Sequence, residues 1–325
     1  MRTKSVNSTE MGVNAKNRPR RQHIVPQMHL GCFANRANQV CVYQKDGPPR
    51  WSFITKTAVE RDYHEYSVGR TKSDYGIERT LANLEDRAVH VREKLLSRAS
   101  ASNEDIGTWA LFLSSLFLRT RKVRSQMSAR LAKDVANRFR SSEELRGIQH
   151  EFFKRGSLVP LADVRTQVGR HLDEILSSPA FLHLSGFHNI VPNLAYSICQ
   201  KDWHVLGVNE GSRLVTSDCP VFTGEIRGQA LFLGFGFALP NTTIFCAMDP
   251  YHLFIAAPPK SNWPAVLVPA DVDLMNLATI KYGQREVYAD RESDDLRRVV
   301  SENIDQIAFG NGAYMQATST SAQQE

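Results

Sequence analysis

Apolar residues recur at helical spacing through much of the first half of the chain. From Ile77 to Leu95 they alternate steps of four and three residues, which predicts an amphipathic helix. A second helix is predicted to begin at Glu104 and Asp105, because acidic side chains suit the positive end of a helix dipole. We expect its apolar face to comprise Trp109, Phe112, Leu113, Leu116, Phe117, Met127 and Leu131.

Short apolar runs bounded by Gly, Pro and Asn predict strands on both sides of this helical region. An N-terminal hairpin is expected at residues 39–44 and 50–55. Further strands are expected at residues 203–208, 213–216, 231–235, 243–247 and 252–256. Other helices are predicted at residues 143–155, 161–177, 187–200, 271–282 and 292–307. Because helices and strands occupy separate blocks, the pattern predicts an α+β fold with a mainly antiparallel sheet.

Composition divides the chain into one domain with two polar ends. Residues 1–22 are basic and poor in apolar groups, so we expect a disordered tail. Residues 23–312 are predicted to form a single globular domain, helical at about 75–200 and strand-rich at about 202–290. Residues 313–325 are rich in Ser, Thr, Gln and Ala and are predicted to form a second disordered tail.

Composition also narrows the class of protein. Of the 325 residues, 42% are hydrophobic and 23% charged, which is typical of globular proteins, and no apolar run predicts a membrane helix. The N-terminal residues lack the apolar segment of a secretory signal, and the five cysteines have no paired spacing. Both observations predict a cytoplasmic protein with reduced thiols. The net charge of +6 favours acidic partners electrostatically.

Five motifs carry a resemblance to a known family. The pattern His-x-x-Pro-Gln-x-x-Leu-x-x-Phe occupies residues 23–33, and paired glutamates follow at Glu78 and Glu85. An Arg-Thr-x-x-x-Arg pattern starts at Arg119, a strand that contains Trp203 is followed by Ser-Asp-x-Pro-Val at residues 217–221, and Asn276 precedes the last long segment. In this order the motifs resemble the DUF4238 family. The chain departs from the family pattern at Arg121, where proline is expected, and at Cys219, where asparagine is expected.

Ser217 and Asp218 are the first candidates for catalysis. Asp218 could act as a general base or a metal ligand, and Ser217 supplies a hydroxyl beside it. The alternative is a local turn in which either side chain bonds backbone N–H groups. His23 could be an acid, a base or a ligand, or a hydrogen-bonded core residue. Gln27 could hold a polar ligand or tie two backbone segments together.

Glu78 and Glu85 could bind a divalent cation that Asp218 or His23 completes. They could equally pair with Arg119 and Arg124 on the next helix, and we favour these ion pairs because a guanidinium satisfies carboxylates well. Arg119 could instead receive a phosphate or a carboxylate. Substrate binding is assigned to Gln27, Arg119, Arg124 and Asn276.

Basic residues dominate the segment 119–140, where Asp134 is the lone acid. They are spread around the helix at about 100° per residue, which favours a solvated surface over a phosphate-binding face. The chain has no P-loop, dinucleotide-binding, zincin or nucleophile-elbow motif.

Three hypotheses follow. The first is a hydrolase acting on phosphate-containing or nucleic-acid substrates, whose distant polar residues converge in one site. The second is a non-catalytic module that binds nucleic acid or another polyanion through residues 119–140. The third is that the polar residues only hold helices to the sheet.

Overall fold

The computed structural model describes most of the predicted domain and little outside it. It covers residues 21–65, 67–68, 71–72, 76–140, 142–227, 230–234, 236–307 and 313–316. The predicted N-terminal tail, except for Arg21 and Gln22, lies outside the described residues, as do residues 317–325. Arg21 and Gln22 belong to a strand, so the fold begins before residue 23.

The N-terminal part is extended, as the pattern predicts. Its elements are β1 (Arg21–His23), α1 (Gln27–Leu30), β2 (Gln39–Tyr43), β3 (Arg50–Phe53), β4 (Val59–Arg61), β5 (Ser67–Val68) and β6 (Thr71–Lys72). β2 and β3 pair antiparallel as the expected hairpin, and β1 pairs with β4. Four apolar residues of the segment 23–33 are fully buried: Ile24, Val25, Leu30 and Phe33. This segment is therefore anchored in the core.

Six helices follow. They are α2 (Gly76–Leu96), α3 (Asn103–Leu118), α4 (Arg121–Arg140), α5 (Ser142–Lys154), α6 (Leu161–Leu176) and α7 (Pro179–Cys199). A capping box between Ser102 and Asp105 starts α3, and Ser178 with Pro179 starts α7. The predicted helix at 187–200 thus begins earlier and runs through Pro192.

The long helix that was expected to reach Leu131 is divided in two. α3 ends at Leu118, and α4 begins at Arg121. Thr120 lies between them, and its hydroxyl accepts a hydrogen bond from the backbone N–H of Val123 at 3.3 Å, which caps the new helix. Arg121 is the first residue of α4, a position that tolerates proline, so a proline at position 121 would fit the same backbone.

The second half of the chain supplies most of the sheet. Its elements are β7 (Asp202–Val208), β8 (Thr216–Ser217), β9 (Val221–Arg227), β10 (Ala230–Leu233), β11 (Thr243–Asp249), β12 (His252–Ala257), β13 (Val266–Leu267), α8 (Pro269–Tyr282), β14 (Val287–Ala289), α9 (Asp294–Asn303) and β15 (Ala313–Gln316). The sequence pattern missed β9, and β15 falls within the segment that was predicted to be a disordered tail.

Two sheets organise these strands. The larger has the order β13-β7-β12-β11-β9-β10-β15, and all its neighbours are antiparallel except β13 and β7. The smaller has the order β3-β2-β14-β8 and joins the N-terminal hairpin to the C-terminal half. The α+β fold and the mainly antiparallel sheet are confirmed. No helix in the described part of the chain is both long and apolar enough to cross a membrane.

The core lies between α3, α7 and the larger sheet. Trp109 of α3 contacts Phe254 of β12, with ring centroids 5.8 Å apart, and Phe117 contacts Phe237 at 4.6 Å. Such aromatic pairs add to the stabilisation that comes from apolar burial. α2 packs on the side of α3, so the C-terminal end of α3 is enclosed by α2, β1 and the sheet.

Two core histidines are held neutral by burial. His29 hydrogen-bonds the Thr216 hydroxyl through Nε2 at 3.0 Å, and burial lowers its pKa to about 3. His183 Nε2 donates to the carbonyl of Leu118 at 2.7 Å, and burial lowers its pKa to about 4. As pH falls below 6.5, the unfolded chain binds protons that these folded histidines do not, so the stability of the fold decreases.

We therefore expect the His183→Gln variant to lose part of this acid sensitivity. Between pH 6.5 and pH 4 the wild-type unfolding free energy should fall by about 1.4 kcal/mol per pH unit for each such histidine. Urea unfolding at a series of pH values measures this slope. The control is His171→Gln, since that side chain is 78% exposed, and it should keep the wild-type slope. An unchanged slope in His183→Gln would contradict the assignment.

Candidate functional site

A small polar cavity lies where β1 meets α2 and the end of α3. Its volume is about 110 Å³, and its lining includes Gln22, His23, Glu78, Leu81, Glu85 and Arg119. The strand supplies His23, α2 supplies both glutamates from positions seven residues apart, and Arg119 caps α3. Four side chains that the sequence analysis selected are therefore brought together.

Arg119 is buried, with a relative accessibility of 2%. Its Nη1 donates to Glu85 Oε1 at 2.7 Å, which is the ion pair that the sequence analysis favoured. Its Nε and Nη2 have no hydrogen-bond partner among the described residues. Because unused buried donors are costly, this guanidinium is suited to an acceptor that enters the cavity.

Glu78 lies beside a histidine that the sequence analysis missed. His64 Nε2 is 3.4 Å from Glu78 Oε1, and burial lowers the His64 pKa to about 3. His64 is therefore neutral near pH 7, and the contact is a close approach of a carboxyl and an imidazole rather than an ion pair. Burial raises the pKa of Glu78, and the Arg119 charge opposes that shift. No sequence motif marked His64, since its importance comes from tertiary burial.

His23 has one ring nitrogen engaged and one available. Its Nε2 lies 3.3 Å from the carbonyl oxygen of Ile54, and since a carbonyl only accepts, Nε2 carries the proton. Nδ1 is then the nitrogen with a free lone pair. Burial lowers the pKa of His23, which favours the neutral ring. His23 can thus accept a proton at Nδ1.

Asp218 and Ser217 belong to a different cluster. Asp218 is 1% exposed and accepts hydrogen bonds from the backbone N–H groups of Gln284 at 2.8 Å and Arg285 at 3.0 Å, and Arg121 Nη1 lies 3.4 Å away. Burial raises the pKa of Asp218, although the two N–H groups and Arg121 oppose the rise. The Ser217 hydroxyl accepts from the N–H of Cys219 at 3.1 Å. The Ser217 bond matches the local-turn alternative, whereas the N–H groups that Asp218 accepts from lie 66 and 67 residues away in the chain. Neither residue lines the cavity.

The remaining predicted substrate-binding residues also lie apart from the cavity lining. Asn276 accepts from the N–H of Val215 at 2.9 Å and donates to the carbonyl of Arg213 at 2.8 Å, which ties α8 to the chain before β8. Arg124 donates to the carbonyl of Tyr63 at 2.5 Å and stacks on its ring. Gln27 is exposed at the start of α1. Their assignment to substrate binding stays a prediction.

The expected cation site is not assembled in the part of the chain that the structure describes. There, no group of three or more His, Cys, Asp or Glu side chains is placed to hold a metal ion. Asp218 lies in the other cluster, and Glu85 pairs with Arg119. The donor set around the cavity is therefore better suited to an anion at Arg119 than to a divalent cation.

Basic residues at the start of the 119–140 segment are used inside the protein. Lys122 is buried and donates to the carbonyls of Tyr282 at 2.7 Å and Ile307 at 2.8 Å. Arg121 contacts Glu60 and Asp218, so it also holds distant elements together. A polyanion-binding surface would have to use later residues of α4, and that role stays a prediction.

These features define an α+β protein whose polar residues form one small cavity and one separate structural cluster. The family model described as protein of unknown function (DUF4238) matches residues 21–293, so the chain belongs to this family. No curated protein and no solved structure shows a significant match. The match covers both clusters and confirms the resemblance seen in the motifs.

The geometry of Asp218 predicts that its main contribution is to stability. Asp218→Ala removes the acceptor of two backbone N–H groups and leaves Arg121 with one carboxylate partner fewer, which should cost about 3 kcal/mol of unfolding free energy. Urea unfolding measures this loss. The control, Asp295→Ala, removes a carboxylate that is 91% exposed and should change stability by no more than about 0.5 kcal/mol. Equal stability of the two variants would contradict the structural role.

Proposed function

We propose that this protein binds the phosphate group of a small phosphate ester in the polar cavity and hydrolyses the ester, with Arg119 as the phosphate receptor. The observation that carries the proposal is the pair of unused donors, Nε and Nη2, on a buried guanidinium that lines the cavity. Arg is the residue best suited to phosphate, because its planar fork matches two oxygens at once. Glu85 holds the guanidinium in place through Nη1.

The size of the cavity supports a small substrate. A volume of about 110 Å³ is well below the roughly 300–1,000 Å³ of ordinary ligand pockets. It suits a single group of phosphoryl size, and a nucleic-acid strand would have to remain outside it. Of the two substrate classes expected from the sequence, small phosphate-containing molecules are therefore favoured. The cytoplasm, which the sequence predicts as the location, would keep the five free cysteines reduced.

Two neighbouring groups can move the protons that hydrolysis requires. A water oxygen attacks phosphorus while His23 Nδ1 takes the proton of that water. The bond from phosphorus to the leaving oxygen breaks, and protonated Glu78 donates its proton to that oxygen. The lowered pKa of His23 and the raised pKa of Glu78 favour these two protonation states.

Binding of inorganic phosphate is the direct test of the receptor. We expect Arg119→Lys to weaken binding by about tenfold or more, because an ammonium replaces a two-pronged donor. Isothermal titration calorimetry measures the affinity, and thermal unfolding checks the fold. The control is Arg298→Lys, whose side chain is 67% exposed on α9 and should leave binding unchanged.

A second variant keeps this test decisive if Arg119→Lys is unstable. Ala82 lines the cavity from an exposed position of α2, so Ala82→Leu should narrow the cavity and weaken phosphate binding while the helix is retained. Wild-type protein that does not bind phosphate at millimolar concentrations, or binding that neither variant affects, would overturn the proposal.

Turnover of 4-nitrophenyl phosphate tests the chemistry separately. Glu78→Gln should lower kcat by about 10²–10⁴-fold with little change in KM, since it removes the general acid but not the phosphate receptor. The decline of the wild-type rate as pH rises through the Glu78 pKa should also disappear. Glu93→Gln, an exposed position on the same helix, is the control. If wild-type protein binds phosphate through Arg119 yet hydrolyses no phosphate ester, the site is a binding site and the catalytic assignment is wrong.

A further inference from the structure

A second, larger cavity lies next to the polar one. Its volume is about 350 Å³, and it is lined by α2, α3 and α7. Most of its lining is apolar, with Ile77, Leu84, Leu111, Phe187 and Val191 among its residues. This volume lies within the usual range of small-molecule pockets, whereas the polar cavity is too small to hold a whole metabolite.

The two cavities share walls on two helices. Leu81 of α2 lines both of them and is 4% exposed. At about 100° per residue, Glu78 and Glu85 lie on one side of Leu81, and Leu84 lies on the other. The cavities therefore flank one buried side chain.

The end of α3 gives the second shared wall. Ser115 lines the apolar cavity, and Arg119 lines the polar cavity four residues later. Positions four residues apart on a helix lie on one face and about one turn, roughly 5–6 Å, from each other. A ligand whose phosphate contacts Arg119 thus has the apolar cavity within reach of its next few atoms.

We propose that the substrate is amphipathic: a phosphate monoester whose alkyl or aryl group occupies the cavity between α2, α3 and α7. The inference rests on the proposed phosphate site and adds the substrate class. The phosphate group fills the polar cavity, and the alkyl or aryl group to which the phosphate is attached binds the adjoining apolar surface. Burial of each methylene group should raise the binding affinity about fourfold.

A series of alkyl phosphates measures this contribution. Calorimetry with inorganic, methyl, butyl and hexyl phosphate should show affinity that rises with chain length, by about fourfold or less for each added methylene. Thr80 lines the apolar cavity from an exposed position, so Thr80→Phe should flatten the series and leave inorganic phosphate binding intact. Arg79→Phe places the same ring at the adjacent exposed position, which lines neither cavity, and should keep the wild-type series.

The outcomes separate this inference from the phosphate site itself. Inorganic phosphate that binds through Arg119, with no gain from longer chains, overturns the amphipathic substrate and leaves the phosphate site standing. A rising series that persists in Thr80→Phe, or that is independent of Arg119, overturns the assignment of the alkyl group to this cavity. If neither inorganic phosphate nor any ester binds, both proposals fail.

Discussion

At the junction between α3 and α4, several basic side chains lie in the interior of the protein. The fold depends on the acceptor groups that other elements supply to these side chains. Burying an unpaired charge costs several kcal/mol, so each of these groups must be matched. Arg119 pairs with Glu85 of α2, Arg121 reaches Glu60 of β4, and Lys122 binds carbonyls near the end of α8. Elements that are distant in sequence are therefore held around this single junction, which also borders the polar cavity.

The same requirement explains why the basic segment is a poor guide to polyanion binding. Counted along the sequence, its charges indicate a strongly basic surface. In the fold, Arg119 and Lys122 are buried, and Arg124 is occupied by the Tyr63 carbonyl. Buried cations are out of reach of the phosphates of a nucleic-acid strand, and a guanidinium that a backbone carbonyl occupies is less free to neutralise them. Position within the helix, rather than the number of charges, decides which role a basic residue has.

Local patterns predicted the helices better than their ends or the strands. The spacing from Ile77 to Leu95 is a property of one segment, so α2 was predicted correctly. The division between α3 and α4 depends on the Thr120 hydroxyl, which caps α4. The spacing of apolar residues does not predict this cap. In β9, Gly224 interrupts the apolar run. The strand exists because β10 and β11 pair with it. A larger residue at position 224 would not fit without a shift, because its Cβ would lie 2.9 Å from the backbone oxygen of Phe232.

The candidate site was predictable where a side chain's partner lies on a neighbouring element. The Glu85–Arg119 pair follows from two consecutive helices that pack together. His64 and the division between His23 and Asp218 depend on long-range packing, for which the sequence offers no local signal. The role of Asp218 was an open alternative in the sequence because the backbone N–H groups that its carboxylate accepts from lie more than 60 residues away in the chain.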